Sequence, residues 1–230
     1  MIKNQPYYFF LAYTALVFAL LCPRHSYSDI TPAEVSIDDI SDRVQQANFL
    51  SGAFTQSRTL KGLTRPLISS GKFNFWRSEG LYWGTEKPFF SAATYKSDRV
   101  IGWTKQGLAS SESVPNQIQK RVGKILLQII SSDVNALTKD FKVISSLRAL
   151  KNTDNTDNLN PWKIELTPKQ AITKKFIHTL TLVGDQFLQE VRIRAANGDE
   201  TKILFSDTQA ADAPNLDQCK LFLSSEKTCQ

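Results

Sequence analysis

The chain lacks the sequence motifs that mark the common enzyme classes. Its 230 residues contain no G-x-S-x-G, no H-E-x-x-H, no P-loop and no G-x-G-x-x-G, which argues against α/β-hydrolases, zinc peptidases, P-loop NTPases and dinucleotide-binding enzymes. Two S-x-x-K matches, at Ser69 to Lys72 and at Ser224 to Lys227, are about as many as chance predicts and carry no weight. The protein is therefore not expected to be an enzyme, and no cofactor is expected.

Long apolar runs are also scarce. The one extended run, Phe9–Leu21, has 13 residues and as a helix would cover about 20 Å, short of the roughly 30 Å hydrocarbon core of a bilayer. A single lysine precedes it, and small residues lie at the −3 and −1 positions of a cut before Asp29. This pattern is typical of a secretory signal peptide. We predict a signal peptide over 1–28 and a single exported domain over 29–230, with an uncleaved membrane anchor as the alternative.

Charge of one sign is not concentrated anywhere in the chain. The 28 Lys and Arg against 22 Asp and Glu give a formal net charge of +6, and no block of five or more like charges occurs. Because the positive charge is spread thinly along the chain, we expect no nucleic-acid binding. A hydrophobic content of 41% with 14 Phe is enough for an apolar core, which excludes a disordered or collagen-like chain.

Cysteine is sparse, with three residues in all. Cys22 falls in the predicted signal peptide; a lipid on it is an alternative, although the preceding Leu21 is not a residue that the lipoprotein peptidase prefers. Cys219 and Cys229 remain, and in an oxidising compartment we predict a disulfide between them, worth about 2 to 3 kcal/mol. Two free thiols are the alternative. Two cysteines alone cannot build a zinc site, and no metal site is expected.

What the chain does contain is a clear hydrophobic periodicity, first of the helical kind. The segments Thr31 to Glu34 and Ser36 to Asp39 each fit the start of a helix. Apolar residues then follow at helical spacing: Ile37, Ile40, Val44 and Ala47. A second amphipathic helix is predicted over Gln117 to Ile130. Its apolar stripe consists of Ile118, Val122, Ile125, Leu126 and Ile129, and its basic side consists of Lys120, Arg121 and Lys124.

From Gly52 onward the period is mostly two, which is typical of strands. Strand-like segments recur about every ten residues, and such spacing argues for an antiparallel sheet large enough to curl. The polar stretch Asn152 to Pro161 is predicted to be a hairpin loop. Beyond the first strand, the predicted strands are Leu67 to Arg77, Leu81 to Trp83, Phe89 to Tyr95, Arg99 to Thr104, Phe141 to Leu147, Trp162 to Leu166, Ile172 to Val183, Phe187 to Ala195, Thr201 to Ser206 and Leu216 to Leu223.

Alternation places one arginine on an aromatic strand face. Arg77 points to the same side as Phe73 and Phe75. Burying a guanidinium is costly unless its donors are satisfied. Arg77 is therefore either a strand-end residue that reaches water or a functional group in an apolar cavity.

Several segments, taken in order, resemble the periplasmic outer-membrane lipoprotein carrier family, LolA. The resemblance spans most of residues 37–207. The segments are Phe54 to Gln56, Gly71 to Arg77, Leu81 to Trp83 with Pro88 after it, Glu165 to Lys169, and Leu180 to Asp185. Ser78 stands where the family usually has proline, the insert Thr59 to Pro66 lengthens the first hairpin, and the cysteine pair is not a family hallmark, which suggests a divergent branch.

The resemblance implies an α+β fold that is mainly antiparallel β: an incomplete, half-open β-barrel whose concave hydrophobic cavity is covered by helices. Arg77 falls on the family's cavity arginine, which holds the lid closed by hydrogen bonds to helix carbonyls. By position, the helix Gln117 to Ile130 and part of the opening helix form the lid. We expect the cavity to be lined by Phe73, Phe75, Trp83 and Phe89, with Ile118, Val122, Ile125, Leu126 and Ile129 on the lid, although each could be ordinary core.

The implied function is that of a periplasmic carrier. Such a protein takes acylated lipoproteins from an inner-membrane ABC transporter, shields the acyl chains and delivers them to an outer-membrane receptor. We expect a monomer whose cargo is an acylated lipoprotein or another long-chain lipid. Two other classes stay open: an acceptor lipoprotein that uses the basic face of Lys120, Arg121 and Lys124, and a lipid hydrolase that uses serine and His178. Alternation groups His178 with Phe176, Leu180 and Leu182, which makes it a core residue in the simpler interpretation.

Overall fold

Eleven strands form one continuous sheet in the described part of the chain. The computed structural model describes residues 36–44, 46–107, 109–113, 125, 127–131, 133–148 and 161–222. The strands are β1 (Phe49–Thr59), β2 (Leu67–Trp76), β3 (Gly80–Lys87), β4 (Ser91–Tyr95), β5 (Val100–Trp103), β6 (Ala109–Ser113), β7 (Phe141–Arg148), β8 (Trp162–Pro168), β9 (Ile177–Gly184), β10 (Leu188–Ala195) and β11 (Glu200–Ala211).

The sheet is antiparallel throughout and open. Its strand order is β6-β5-β4-β3-β2-β1-β11-β10-β9-β8-β7, and all neighbouring pairs are antiparallel. Strands β1 to β6 pair in chain order, and so do strands β7 to β11. The two halves meet where β11 pairs with β1. Among the described residues no pairing joins β6 to β7, so the sheet does not close. The predicted fold, a mainly antiparallel incomplete barrel, is confirmed.

Four short helices accompany the sheet in the described residues: α1 (Ile37–Arg43), α2 (Val134–Asp140), α3 (Ala171–Lys174) and α4 (Leu216–Lys220). Residues 125 and 127–130 are also helical, and we call them the central helical segment. The start of α1 is fixed by a capping box, in which Ser36 Oγ accepts from the amide of Asp39 at 3.0 Å and the Asp39 carboxylate accepts from the amide of Ser36 at 3.3 Å. The second of the two predicted helix starts is the one that occurs; Thr31 lies outside the described residues.

The main apolar core lies between the concave face of the sheet and these helices. The helices contribute Ile40 of α1, Val134 and Leu137 of α2, and Ile129 of the central helical segment. Val44, which directly follows α1, adds to them. The sheet contributes side chains from both of its halves, namely Leu50, Phe54, Phe73, Phe75, Leu81, Phe141, Trp162, Ile164, Leu166, Leu180, Leu182, Leu188, Val191 and Ile203. Helices thus cover the concave apolar face, as predicted.

A second, smaller apolar cluster lies on the outer face of the sheet. Phe49 and Phe222 are 2% and 0% exposed, and the Trp76 ring meets the Phe222 ring edge-on with centroids 5.6 Å apart. Strand β2 therefore carries apolar side chains on both faces. The residues around Phe222 follow α4, so the C-terminal part of the described chain is packed against the outside of the sheet.

Two predicted strands are wrong in the C-terminal half. The segment Ile172 to Val183 begins as α3 and becomes strand only from Ile177. The segment Leu216 to Leu223 begins with helix α4, because Asn215 and Gln218 form a capping box that starts a helix there. The predicted loop at Asn152 to Pro161 lies outside the described residues apart from its last position.

The described residues belong to one compact unit within Pro32–Gln230. The predicted signal peptide falls entirely within residues 1–35, which lie outside the described part, so its boundary stays a prediction. None of the helices that the structure describes combines the length and apolar character needed to cross a bilayer.

Candidate functional site

Aromatic side chains form the centre of the concave face. Phe54 of β1 stacks on Trp83 of β3 with ring centroids 3.9 Å apart and an interplanar angle of 24°. Phe205 of β11 meets Phe73 and Trp83 edge-on, at 5.3 Å and 6.3 Å between centroids. The register places these rings together, because Phe54 lies opposite both Gly71 and Phe205 in the ladder. Phe73 and Phe75 are each 3% exposed, so both lie where the sequence predicted.

Among the described residues, little free space remains beside the aromatic rings of the inner face. The cavity bounded by Leu50, Phe73, Ile130, Phe187, Leu188, Phe205 and Thr208 has a volume of about 10 Å³, which is room for about one water molecule. The helices fill the remaining space with Ile125 and Ile129, which are 6% and 2% exposed. An acyl chain can enter this region only if side chains or helices move.

In the part of the chain that the structure describes, few polar contacts connect the helices of the cover. Asn135 Nδ2 of α2 donates to Ser41 Oγ of α1 at 3.2 Å, and Gln128 Nε2 donates to the Ala136 carbonyl at 3.3 Å. Gln128 is 8% exposed, and its Oε1 has no hydrogen-bond partner in the described structure. The cover therefore depends mainly on apolar packing, which is non-directional and tolerates rearrangement.

Arg77 lies at the rim of the concave face, in the turn after β2. Its Nη2 donates to the Ala47 carbonyl at 3.0 Å and to Gln46 Oε1 at 3.1 Å, and its Nε donates to the same carbonyl at 3.3 Å. The guanidinium carbon is 6.0 Å from the centroid of the Phe75 ring. The side chain is exposed, so of the two predicted alternatives the strand-end position is the one that occurs.

The hydrogen-bond partner of Arg77 differs from the one implied by the family resemblance. Ala47 belongs to the connection between α1 and β1, which follows the end of the opening helix; the resemblance led us to expect a helix carbonyl. Arg77 therefore ties the connection between α1 and β1 to the turn between β2 and β3. Beside it lies an open cavity of about 260 Å³, whose lining combines polar and apolar groups: Phe75, Arg77, Ser78, Glu79, Gly80, Ser97, Leu127, Gln128 and Ser131.

Phe89 does not join the other predicted cavity residues. It is 82% exposed, because the chain leaves the sheet between the end of β3 at Lys87 and the start of β4 at Ser91. A residue in such a bend is on neither pleated face. Trp83, in contrast, packs against the core.

The predicted lid is described only in part. Ile125 and Ile129 lie in the apolar core, whereas Ile118, Val122 and Leu126 lie outside the described residues. The basic positions Lys120, Arg121 and Lys124 lie outside them as well.

His178 is not a core residue. It is exposed, because the β9–β10 ladder shifts register between Arg194 and Ala195 and brings Ile177, instead of His178, against the core. In the described part of the chain no serine hydroxyl is hydrogen-bonded to it. Nor do the described residues contain three or more His, Cys, Asp or Glu side chains grouped to hold a metal ion.

Cys219 is disulfide-bonded and 7% exposed. Cys229 lies outside the described residues, so the pairing of the two stays a prediction.

The sequence did not identify Phe205 as a contributor to the inner face, nor Gln46 and Ala47 as partners of Arg77. Phe205 is central to the aromatic cluster, and the alternation of Ile203 and Phe205 along β11 was the signal that could have found it. Gln46 and Ala47 could not have been found, because they meet Arg77 only through the fold.

A separate open cavity of about 340 Å³ lies over strands β8 to β10 and is lined by Lys163, Glu165, Thr179, Thr181, Val183, Glu190, Arg192 and Arg194. Its charges largely neutralise one another: Glu190 accepts from Arg192 at 2.9 Å and pairs with Lys202 at 3.2 Å.

Comparison with known proteins agrees with this geometry. The family described as "Outer membrane lipoprotein carrier protein LolA" matches residues 45–220. Similar solved structures include a LolA superfamily protein, NE2245, from Nitrosomonas europaea, with 12% identity, coverage of 82% of this chain and 96% of that chain, and a TM-score of 0.44. A putative outer membrane lipoprotein-sorting protein domain from Vibrio parahaemolyticus has 7% identity, coverage of 77% and 92%, and a TM-score of 0.37.

A third similar structure is the MucA/MucB complex of Pseudomonas aeruginosa, with 14% identity, coverage of 80% of this chain and 60% of that chain, and a TM-score of 0.42. The search of curated protein sequences found no match. The family assignment rests on the match over residues 45–220, which is more than half of the chain. On that match, this chain belongs to the LolA family of outer membrane lipoprotein carrier proteins.

Proposed function

We propose that this protein is a periplasmic carrier that binds the acyl chains of lipoproteins, or a related long-chain lipid, between the concave sheet face and the helices that cover it. The observation that supports this most is the apolar concave face itself: among the described residues it is covered by helices that make few polar contacts, and no second sheet packs on it. The signal peptide predicted over 1–28 supports export. Inner-membrane ABC transporter and outer-membrane receptor are the donor and acceptor that we propose, and we propose that the carrier is a monomer.

In this proposal loading displaces part of the helical cover, since the described cavity beside Phe73 and Phe205 has a volume of only about 10 Å³. Transferring an acyl chain of about fifteen methylenes from water gains up to about 12 kcal/mol. Exposing four aliphatic side chains of the cover, such as Ile40, Val44, Ile125 and Ile129, costs about 1.5–3 kcal/mol each, or about 6–12 kcal/mol together. The two quantities are comparable, so the closed empty state competes with the loaded state and release becomes feasible.

Arg77 adds to the closed state. Its hydrogen bonds to the Ala47 carbonyl and to Gln46 hold the α1–β1 connection, which directly follows the helix, against the turn between β2 and β3. Hydrogen bonds from a charged donor contribute about 1.5–3 kcal/mol when shielded and less at an exposed rim. Movement of α1 that strains or breaks them lowers the net affinity for cargo.

The test is the substitution Arg77→Leu. We expect the variant to load acyl cargo at least as well as the wild type and to release it several-fold more slowly, because the closed state has lost its polar tie. The measurement is the transfer of cis-parinaric acid, a fluorescent fatty acid, from the loaded protein to an excess of phosphatidylcholine vesicles, followed by transfer of an acylated lipoprotein.

The matched control is Arg194→Leu, which removes an exposed arginine from the outer face of β10 and should leave both steps unchanged. Failure of the wild-type protein to bind the fatty acid would overturn the carrier function. Equal release rates for Arg77→Leu and the wild type would remove Arg77 from the release step.

A further inference from the structure

The turn that carries Arg77 is held by its neighbours on both sides. The Arg77 amide donates to the Asn48 carbonyl at 2.9 Å, and the Glu79 amide donates to the Trp76 carbonyl at 2.9 Å. Gly80 has φ of +132°, and a Cβ at this position would lie 2.1 Å from the Tyr95 carbonyl oxygen. The last residue of strand β4, Tyr95, therefore lies so close to the turn that only glycine fits at position 80.

Lys96, directly after β4, joins this turn to the C-terminal part of the chain. Its Nζ donates to Glu79 Oε2 at 2.6 Å and to the Phe222 carbonyl at 2.7 Å. The side chains of Lys96 and Glu79 are only 17% and 20% exposed. Ion pairs at this level of burial are screened much less by water and salt than surface pairs are.

The C-terminal anchor is itself firmly placed. Thr94 Oγ1 donates to the Leu221 carbonyl at 2.6 Å and accepts from Trp103 Nε1 at 2.8 Å. Phe222 is fully buried and meets Trp76 edge-on. The Phe222 carbonyl is thus a fixed acceptor, and through Lys96 it fixes the position of Glu79, two residues from Arg77.

We propose that Lys96 is a positioning residue for Arg77, through which the C-terminal segment 215–222 helps to hold the inner face closed. The inference rests on the proposed carrier function and extends it: the outer-face cluster stabilises the closed state from the opposite side of the sheet. Without Lys96, the Glu79 carboxylate loses its partner, the turn relaxes, and the guanidinium no longer aligns with the Ala47 carbonyl.

The experiment is a double-mutant cycle between Lys96 and Arg77. Lys96→Met keeps the apolar stem and removes the ammonium group. We expect it to slow the release of cis-parinaric acid to phosphatidylcholine vesicles by about fivefold, in the same direction as Arg77→Leu. In the Arg77→Leu background the Lys96→Met substitution should have no further effect. Lys96→Arg, which retains a cation and donors for both acceptors, should restore most of the wild-type release rate.

Two variants guard against a purely structural effect. Glu79→Gln keeps the shape of the side chain and should reproduce a smaller part of the slowing. Lys72→Met removes the exposed Lys72–Glu86 pair, at 3.8 Å on the adjacent strands β2 and β3, and should leave release unchanged. Thermal unfolding of each variant identifies any that has lost its fold, and Glu79→Gln then replaces Lys96→Met in the cycle.

The outcomes separate the two proposals. If Arg77→Leu slows release and Lys96→Met does not, or if the two effects are additive, the positioning role is wrong and the carrier function stands. If the wild-type protein binds no fatty acid, both the carrier function and the positioning role are wrong. If Arg77→Leu leaves release unchanged, Arg77 has no role in release and the positioning role of Lys96 is wrong with it.

Discussion

Asp199 connects two distant turns at one end of the sheet. Its carboxylate accepts from the Lys61 amide at 2.9 Å and from Asn197 Nδ2 at 2.9 Å. The Lys61 amide and then the Asn197 side chain lower the pKa of Asp199, with a smaller contribution from the charge of Arg58. Because the carboxyl is a better acid when folded, its tie to the β1–β2 turn is present at neutral pH and is lost only as the pH falls through the lowered pKa.

The lowered pKa of Asp199 gives a measurable pH dependence. We expect the NMR shift of the Lys61 amide to titrate with a midpoint below the ordinary 3.8 of an aspartic acid, since the amide reports the protonation of Asp199. In Asp199→Asn this titration should disappear. A midpoint at or above the ordinary value would contradict the assignment.

Arg77 shows what a sequence can and cannot supply about a single residue. Alternation along β2 correctly grouped it with Phe73 and Phe75. Its hydrogen-bond partner, the Ala47 carbonyl, follows from the contact between β1 and the β2–β3 turn, and no local pattern encodes that contact. His178 failed for a related reason, because a register shift in the β9–β10 ladder reverses the face that simple alternation assigns.

At the scale of elements, helix α1 is the part of the cover with the best-defined start. The capping box of Ser36 and Asp39 satisfies two backbone amides, and Asp38 and Asp39 lie in the first turn, where they offset the helix dipole. A seven-residue helix is too short to be stable alone, so its cap and its apolar contacts must act together.

We therefore expect Ser36→Ala to destabilise α1 by about 1 kcal/mol. The amides of α1 should exchange with solvent about fivefold faster, and cis-parinaric acid should enter the protein faster, because displacing the cover has become easier. Hydrogen exchange by mass spectrometry and stopped-flow fluorescence measure the two effects. Lys72→Met removes the exposed Lys72–Glu86 pair on strands β2 and β3 and is the control; faster entry in that variant as well would show that the effect is not specific to the cover.

Elements were predicted best where the hydrophobic period was long. Most antiparallel strands of both halves and the start of the opening helix occur as expected, whereas strand β6 (Ala109–Ser113) was not predicted and the opening helix ends at Arg43. The segments Ile172 to Val183 and Leu216 to Leu223 were misassigned at short helices, α3 and α4, whose four and five residues leave too few positions to distinguish a period of two from 3.6. Phe89 was misassigned because the sequence pattern does not distinguish an aromatic residue at the start of a strand from one in the bend just before it. Strand β4 starts at Ser91.

At the scale of the whole molecule, the inner face is closed and the sheet is open. The sequence indicated the apolar lining but not its state, because a filled core and an empty cavity use the same residues. The cavity of about 10 Å³ beside Phe73 and Phe205 is too small for an acyl chain, so we expect loading to move the side chains or helices around it.

That movement should be visible when cargo binds. We expect saturation with palmitate to increase the exchange rate of amides in α1 and α2 relative to the empty protein, because these helices lose contact with the sheet. Amides of α4 and of β4, on the outer cluster, should not change. Hydrogen exchange of the empty and the loaded protein is the measurement, and slower exchange throughout the cover on loading would show that the lipid binds elsewhere.

The apolar cluster on the outer face stabilises the sheet independently of the inner face. Strand β2 is anchored through the contact between Trp76 and Phe222 on the outer face of the sheet. This contact does not depend on the packing of the inner face, so the sheet keeps it when the helical cover moves. In the proposed carrier function, cargo can then leave without the protein unfolding, and one copy can deliver cargo repeatedly.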